Sequence, residues 1–197
     1  MSEPQKKNPA KCTSPEFRVS YPHVFKAHSG FEGQEEKYSV SMLFDKKTDL
    51  TALKRAVLHV ATEEWGPKDK GKWPKKLRLP FRDGDDEKPG NEEYAGKIFV
   101  NATSKNRPGV VDGKVQPMTE EDGTFYAGCY ARATLVAFAY NKMGNVGVAF
   151  GLNNLQKLRD GEPLGGKSSA TSDFDAVEDL GESDAAEESD DMSDLGI

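Results

Sequence analysis

Hydrophobic and polar residues alternate in five stretches of the chain, and one stretch between them changes to a helical period. Residues 16–26, EFRVSYPHVFK, set Phe17, Val19, Tyr21, His23 and Phe25 against Arg18, Ser20, Val24 and Lys26. A period of two marks a half-buried strand, and Pro22 predicts an edge or a bulge within it. Residues 37–44, KYSVSMLF, repeat the pattern. The period then lengthens. From Asp49, a helix-start residue, Leu50, Leu53, Ala56, Val57 and Val60 recur at helical spacing as far as Trp65, and Gly66-Pro67 stops the run. Strand character returns at 97–103, KIFVNAT, before a turn-rich segment that runs to Gly123. Residues 128–140 and 146–152 predict a hairpin with 141–145 as its loop. The intervening connection, 66–96, is rich in Lys, Gly, Pro and Asp, and a loop that long in a compact domain has a function or lacks fixed structure.

Five strands, one helix and long loops predict a mainly β fold, a five-stranded OB-like barrel, with another small β-sandwich plus helix as the alternative. The helix falls between the second and third strands, whereas the usual OB order places it between the third and fourth. Alternation assigns Phe17, Tyr21, Phe25, Tyr38, Phe44, Phe138 and Phe150 to the core side of their strands. The opposite sides carry Arg18, Ser20, Lys26, Ser39, Ser41, Ala131, Ala133, Ala137, Gly147, Ala149 and Gly151. A face so small and polar suits either the close approach of a nucleic-acid backbone or tight sheet curvature.

Charge changes the picture. The chain holds 27 basic and 33 acidic residues, a net charge of −6, with pI near 5.2. Eleven of those 33 acids lie in residues 168–197, which contain no Lys or Arg, leaving 22 acids against 27 bases and a charge of +5 in residues 1–167. Such a body seeks polyanions, and its acidic extension is a tethered competitor for the same surface. The expected plan is a flexible arm over 1–12, one folded domain over 13–167, and a disordered acidic tail over 168–197, too poor in apolar residues to offset its chain entropy. No apolar run approaches a membrane span, and the polar start predicts no secretory leader. Cys12 and Cys129 make no disulfide framework, so a reduced intracellular setting is expected, with Cys129 a buried structural thiol.

The densest candidate site is KDKGKWPKKLRLPFR, residues 68–82, where seven basic residues meet one acid with Trp73 and Phe81 interleaved. Lys72, Lys75, Lys76, Arg78 and Arg82 suit phosphates, and Trp73 and Phe81 suit stacking on unpaired bases. A solvated loop anchored by its aromatics is the competing interpretation. Lys105 and Arg107 follow a strand and could extend the same groove; Arg132, with Tyr126 and Tyr130 close in sequence, adds a third cation beside aromatics. Support for catalysis is weaker. Asp83, Asp85, Asp86 and Glu87 lack the spacing of a calcium loop, the three histidines lack metal-ligand spacing, and no phosphate-binding or nucleophile motif occurs. No enzyme activity, metal or cofactor is expected.

The segments TSPEFRVSYPHVF, YSVSMLF, LRLPFRDGD, YAGKIFVNATSKNRPGVVD, FYAGCYARATLVAFAYN and GVAFGLNNLQKLRDGEPLGG resemble a bacteriophage single-stranded-DNA-binding protein family, formerly classed as a domain of unknown function. The resemblance spans about residues 12–167. It implies an OB-fold that binds single-stranded DNA in phage replication or recombination, in the cytoplasm of the infected bacterium, and that carries an acidic C-terminal tail. The tail's end sets Leu195 and Ile197 after Asp190, Asp191 and Asp194, similar to the acidic-then-apolar tips by which single-strand binders recruit replication proteins, although the terminal aromatic is missing. Phage or host replication and recombination proteins are thus expected partners, and a homodimer is one expectation for the assembly. Two rival functions are a protein-interaction module that presents its tail as a DNA mimic to inhibit a host nucleic-acid enzyme, and a metal-dependent nuclease using the 83–87 carboxylates.

Overall fold

The structure is a computed structural model describing residues 8–30, 32–66, 73–74, 76–142 and 144–165. Its strands are the alternating stretches read above, and their pairing closes a ring. Strands β2 (Phe17–His28) and β3 (Lys37–Asp45) pair antiparallel, and β3 continues onto β5 (Lys97–Ser104) in unbroken register from Tyr38–Ser104 to Asp45–Lys97. Strand β5 pairs parallel with β8 (Asn145–Arg159) at Ala102–Phe150 and Thr103–Gly151. Strand β8 forms the long hairpin with β7 (Tyr130–Lys142), and β7 returns to β2 through Phe17–Ala131 and Arg18–Tyr130. A ring of five strands leaves no open edge among them. Three short strands decorate it: β1 (Lys11–Thr13) on β7, β4 (Arg82–Asp83) on β5, and β6 (Gly109–Val111) on β8.

Helix α1 (Thr51–Trp65) lies between β3 and β5 in the chain, as the periodicity required. Asp49 accepts a hydrogen bond from the Thr51 amide at 2.9 Å, supplying the capping interaction that Leu50 cannot. The helix buries Leu53, Ala56, Val57 and Ala61 against the ring, where Phe17, Met42, Val100, Leu135 and Phe150 fill the interior. A second, smaller cluster lies outside the ring. There Tyr94 and Phe99 meet edge to face at 5.1 Å beside Leu43 and Leu164. Cys129 is buried, and burial pushes the Cys12 thiol up to about 11, so both thiols stay protonated at neutral pH.

Three expectations change. The assignment of faces is reversed on β7: Ala131, Ala133 and Ala137 point into the core, while Phe138 is 43% exposed on the outside. Small inward residues let α1 approach β7 closely, so bulky residues are displaced to the outer face. Tyr21 is also outside, 56% exposed, because a bulge shifts the β2–β3 register between Ser20 and His23 and breaks the alternation. Boundaries move as well. Lys11 and Cys12 are already paired strand, the hairpin closes at Lys142–Asn145, and β8 continues to Arg159.

Candidate nucleic-acid interface

Pairing across β2, β3, β5, β8 and β7 sorts the ring's outer surface into rows. One row runs Ser20, Ser41, Asn101, then Ala149 and Phe138; the next runs His23, Ser39, Thr103, Gly151 and Val136. These residues are mostly small and uncharged, and Asn101, Thr103 and Phe138 are exposed. Hydrogen bonds tie the first row together. The Ser41 hydroxyl donates to Asn101 Oδ1 at 2.7 Å, and Ser20 Oγ lies 3.1 Å from the Tyr94 hydroxyl.

Beside this floor the chain builds a wall. Arg78 bonds as an isolated bridge to β8, its amide donating to Val146 O and its carbonyl accepting from the Val148 amide, both at 3.0 Å. Gly147 makes the approach possible, since a Cβ there would lie 2.6 Å from the Arg78 carbonyl oxygen and 2.5 Å from the Tyr140 hydroxyl. Phe81 then packs edge to face on Phe150, centroids 6.4 Å apart. Between wall and floor opens a groove of about 610 Å³, lined by Arg78, Leu79, Phe81, Asn101, Tyr140 and Ala149 among others.

The structure separates the sequence-derived candidates into three groups. Trp73, Lys76, Arg78, Phe81 and Arg82 belong to the wall or its approach, with Trp73 39% exposed and Lys76 and Arg78 exposed. Arg78 makes no ion pair among the described residues. Arg82 is engaged: its guanidinium lies 4.8 Å from the Phe99 ring centre and pairs with Glu87, which raises the arginine's pKa and lowers the carboxylate's. Lys72, Lys75 and the tail residues Asp190, Asp191, Asp194, Leu195 and Ile197 lie outside the described residues.

Lys105 and Arg107 stand past the end of β5. Lys105 pairs with Glu35 at 2.7 Å, and this bond, helped by Lys37 and Lys142, holds the Glu35 carboxyl below the usual range. Arg107 sits 5.8 Å from the Phe25 ring centre.

Tyr126, Tyr130 and Arg132 are at the far end of β7, where Tyr130 lies ten residues before Tyr140, about 30 Å along the strand. Most of these side chains have partners within the chain. The Tyr126 hydroxyl donates to Gly161 O at 2.8 Å and accepts from the Gly161 amide at 3.2 Å. Arg159 covers Tyr130 at 3.4 Å while binding Glu16, and Arg132 Nε donates to Gln156. The suspected acidic cluster is likewise engaged, with Lys46 bonding Asp83 and Asp85, each at 2.8 Å. No group of three or more His, Cys, Asp or Glu is placed to hold a metal ion among the described residues, and no described helix is long and apolar enough to cross a membrane.

The family profile of the ssDNA-binding protein of Enterobacter phage Enc34 matches residues 10–190 of the chain. The chain belongs to this family. A relative in Acyrthosiphon pisum secondary endosymbiont phage 1, putative protein p50, is 34% identical over 166 residues, covering 80% of this chain and 89% of its own. The single-stranded DNA-binding protein of bacteriophage Enc34, solved in complex with ssDNA, superposes with a TM-score of 0.68 at 22% identity, over 79% of this chain and 90% of that one. The single-stranded DNA-binding protein gp2.5 of bacteriophage T7 superposes at 0.55 with 16% identity, over 84% and 99%. At those identities the two structures speak for the fold.

In this family member, sequence reasoning assigned Phe138 and Tyr21 to the core and passed over Tyr140 and Asn101. Phe138 and Tyr140 share a parity with Arg132 and Thr134, a polar signal that would have marked their face as outward. Asn101 stood in plain view as the polar residue that follows the apolar run Ile98–Val100. Pro22 signalled a bulge in this strand, but only the register shift between Ser20 and His23 shows that Tyr21 is the residue it turns outward.

Proposed function

We propose that the protein binds single-stranded DNA without sequence preference in phage DNA replication or recombination, acting without catalysis in the cytoplasm of the infected bacterium. The observation that carries this is the open groove lined on one side by Arg78, which makes no ion pair among the described residues, and on the other by Asn101, Tyr140 and Ala149, with the exposed Phe138 paired to Ala149 next to it. The carboxylate in its lining, Glu87, is bound to Arg82. Arg78, Lys76 and the lysines around Trp73 attract phosphates, while Phe138, Tyr140 and Trp73 offer ring faces that any base can stack on. Lys105 and Arg107 extend the positive field beyond β5. The distant Tyr126, Tyr130 and Arg132 contribute to the fold rather than to the groove.

Removing Arg78 and Phe138 together (Arg78→Ala with Phe138→Ala) should weaken oligothymidylate binding by a factor on the order of 100, and should flatten the salt dependence by roughly 0.7 in slope, one phosphate contact. Anisotropy titrations across salt concentration measure both quantities. Unchanged affinity and slope would refute the groove.

For the tail, its eleven carboxylates support competition with DNA, and its acidic-then-apolar end supports a hook for replication proteins. Deleting 168–197 should raise DNA affinity, most at low salt where screening is weakest. A truncated protein that binds no more tightly would leave only the hook.

A further inference from the structure

The polar floor has a second end, at β2, and three rings stand there. Tyr21 is 56% exposed and holds φ at +42°, a left-handed conformation that a bulky aromatic keeps only when its surroundings hold it there. The bulge that strains it also lifts it out of the strand's alternation, beside Ser20 at the head of the first row. Ser20, the chain neighbour of Tyr21, meets the Tyr94 hydroxyl at 3.1 Å, and burial raises the pKa of Tyr94. Next along β2, His23 opens the second row opposite Ser39. A second register shift brings His28 against it, so the two imidazoles stack at 4.4 Å with only 18° between their planes. Burial, then the neighbouring His28, hold His23 below its ordinary pKa, which keeps its ring neutral at pH 7.

Pro22 sets Tyr21 apart from His23, and the stacked imidazoles are polar, so the three rings make no contiguous apolar patch, which disfavours them as a protein-docking surface. They mirror the arrangement at β7, where Phe138 ends the same floor.

We propose that Tyr21 and the His23–His28 stack form a second base-stacking platform, so that a single strand crosses from Phe138 over the polar floor and stacks again at β2. This rests on the groove assignment above. The two platforms are four inter-strand steps apart, about 19 Å over the surface, a span within the roughly 4–16 nucleotides that one such fold holds. The floor between them is small, so sugars and phosphates can pass close to the sheet, and the exposed Asn101 and Thr103 side chains offer hydrogen bonds indifferent to sequence, while Ser20 is buried against Tyr94.

The test uses the full chain and oligothymidylates of two lengths, about 4 and about 15 nucleotides, chosen to reach one platform or both. Asparagine tolerates a left-handed backbone, so Tyr21→Asn should unfold at the same temperature as the parent or higher. It should nevertheless bind the long oligonucleotide about tenfold more weakly and the short one unchanged, while Tyr21→Phe retains parental affinity. Phe138→Ala, the control, should weaken both lengths. Full affinity in Tyr21→Asn beside a weakened Phe138→Ala would overturn the second platform and leave the groove standing; full affinity in both would overturn the groove itself. Equal loss on short and long strands would make Tyr21 structural and also overturn the proposal. With the unaltered protein, photocrosslinking to 5-iodouracil-substituted strands should label the peptide containing Tyr21, and labelling confined to the Phe138 peptide would count against it.

Discussion

At one end of β7, Tyr140 lines an open groove beside Arg78, which makes no ion pair among the described residues, and Phe138 lies exposed next to it; at the other, Tyr126 and Tyr130 are covered by groups of the same chain and Arg132 is held by one bond to Gln156. Both ends combine cations with aromatics, and by composition alone they are equivalent. Occupancy distinguishes them. A guanidinium stacked on Tyr130 at 3.4 Å and bonded to Glu16 has already exchanged water for protein partners, and a phosphate would have to displace them. Arg78 has no described carboxylate to leave. A basic-aromatic segment is therefore a binding candidate to the extent that its polar groups remain uncommitted after folding.

The largest effects that would break this contrast come from two glycines. At the far end, Gly128 has φ +115° and a Cβ there would fall 2.2 Å from the Glu162 carbonyl oxygen, a backbone atom that cannot step aside alone. Gly128→Ala should cost about 3 kcal/mol or more in urea unfolding, with DNA affinity of the folded protein unchanged. Gly147→Ala, at the groove end, should cost about 1–3 kcal/mol and also weaken DNA binding, because it pushes Arg78 and Tyr140 off β8. Equal effects on DNA binding from the two substitutions would erase the distinction.

Smaller effects sharpen it. Tyr126→Phe removes the hydroxyl that joins Gly161 to the strand end and should lower stability by about 1 kcal/mol, leaving the salt slope of DNA binding intact. Arg132→Ala, losing an exposed bond to Gln156, should alter stability by no more than about 0.5 kcal/mol. If it instead flattened the salt slope as removal of Arg78 is expected to, the far end would belong to the DNA path after all.

Much of the architecture was legible along the chain because alternation and helical spacing are local consequences of burying one face. Val40, Met42 and Phe44 announced their strand, and Leu53, Ala56 and Val57 their helix. The site was legible only in part. The segment from Trp73 to Arg82 declared itself by charge, and among its described residues Lys76 and Arg78 make no ion pair, whereas the engagement of Arg82 by Glu87 and Phe99 involves a strand pairing and a separate aromatic cluster. On β7 the larger side chains were assigned inward by the usual preference, and the approach of α1 reversed it.

The sequence by itself determined the strands, the helix between β3 and β5, and the contrast between a basic body and an acidic extension, because each depends on residues near one another in the chain. Tertiary structure decided which cations stayed available and which aromatics faced outward. Those outcomes depend on what folds against a residue from afar: Glu16 against Arg159, α1 against β7, and a bulge that turns Tyr21 out of its strand. Side-chain availability is a property of the assembled ring, since a partner 143 residues away can occupy a charge that the local sequence leaves free.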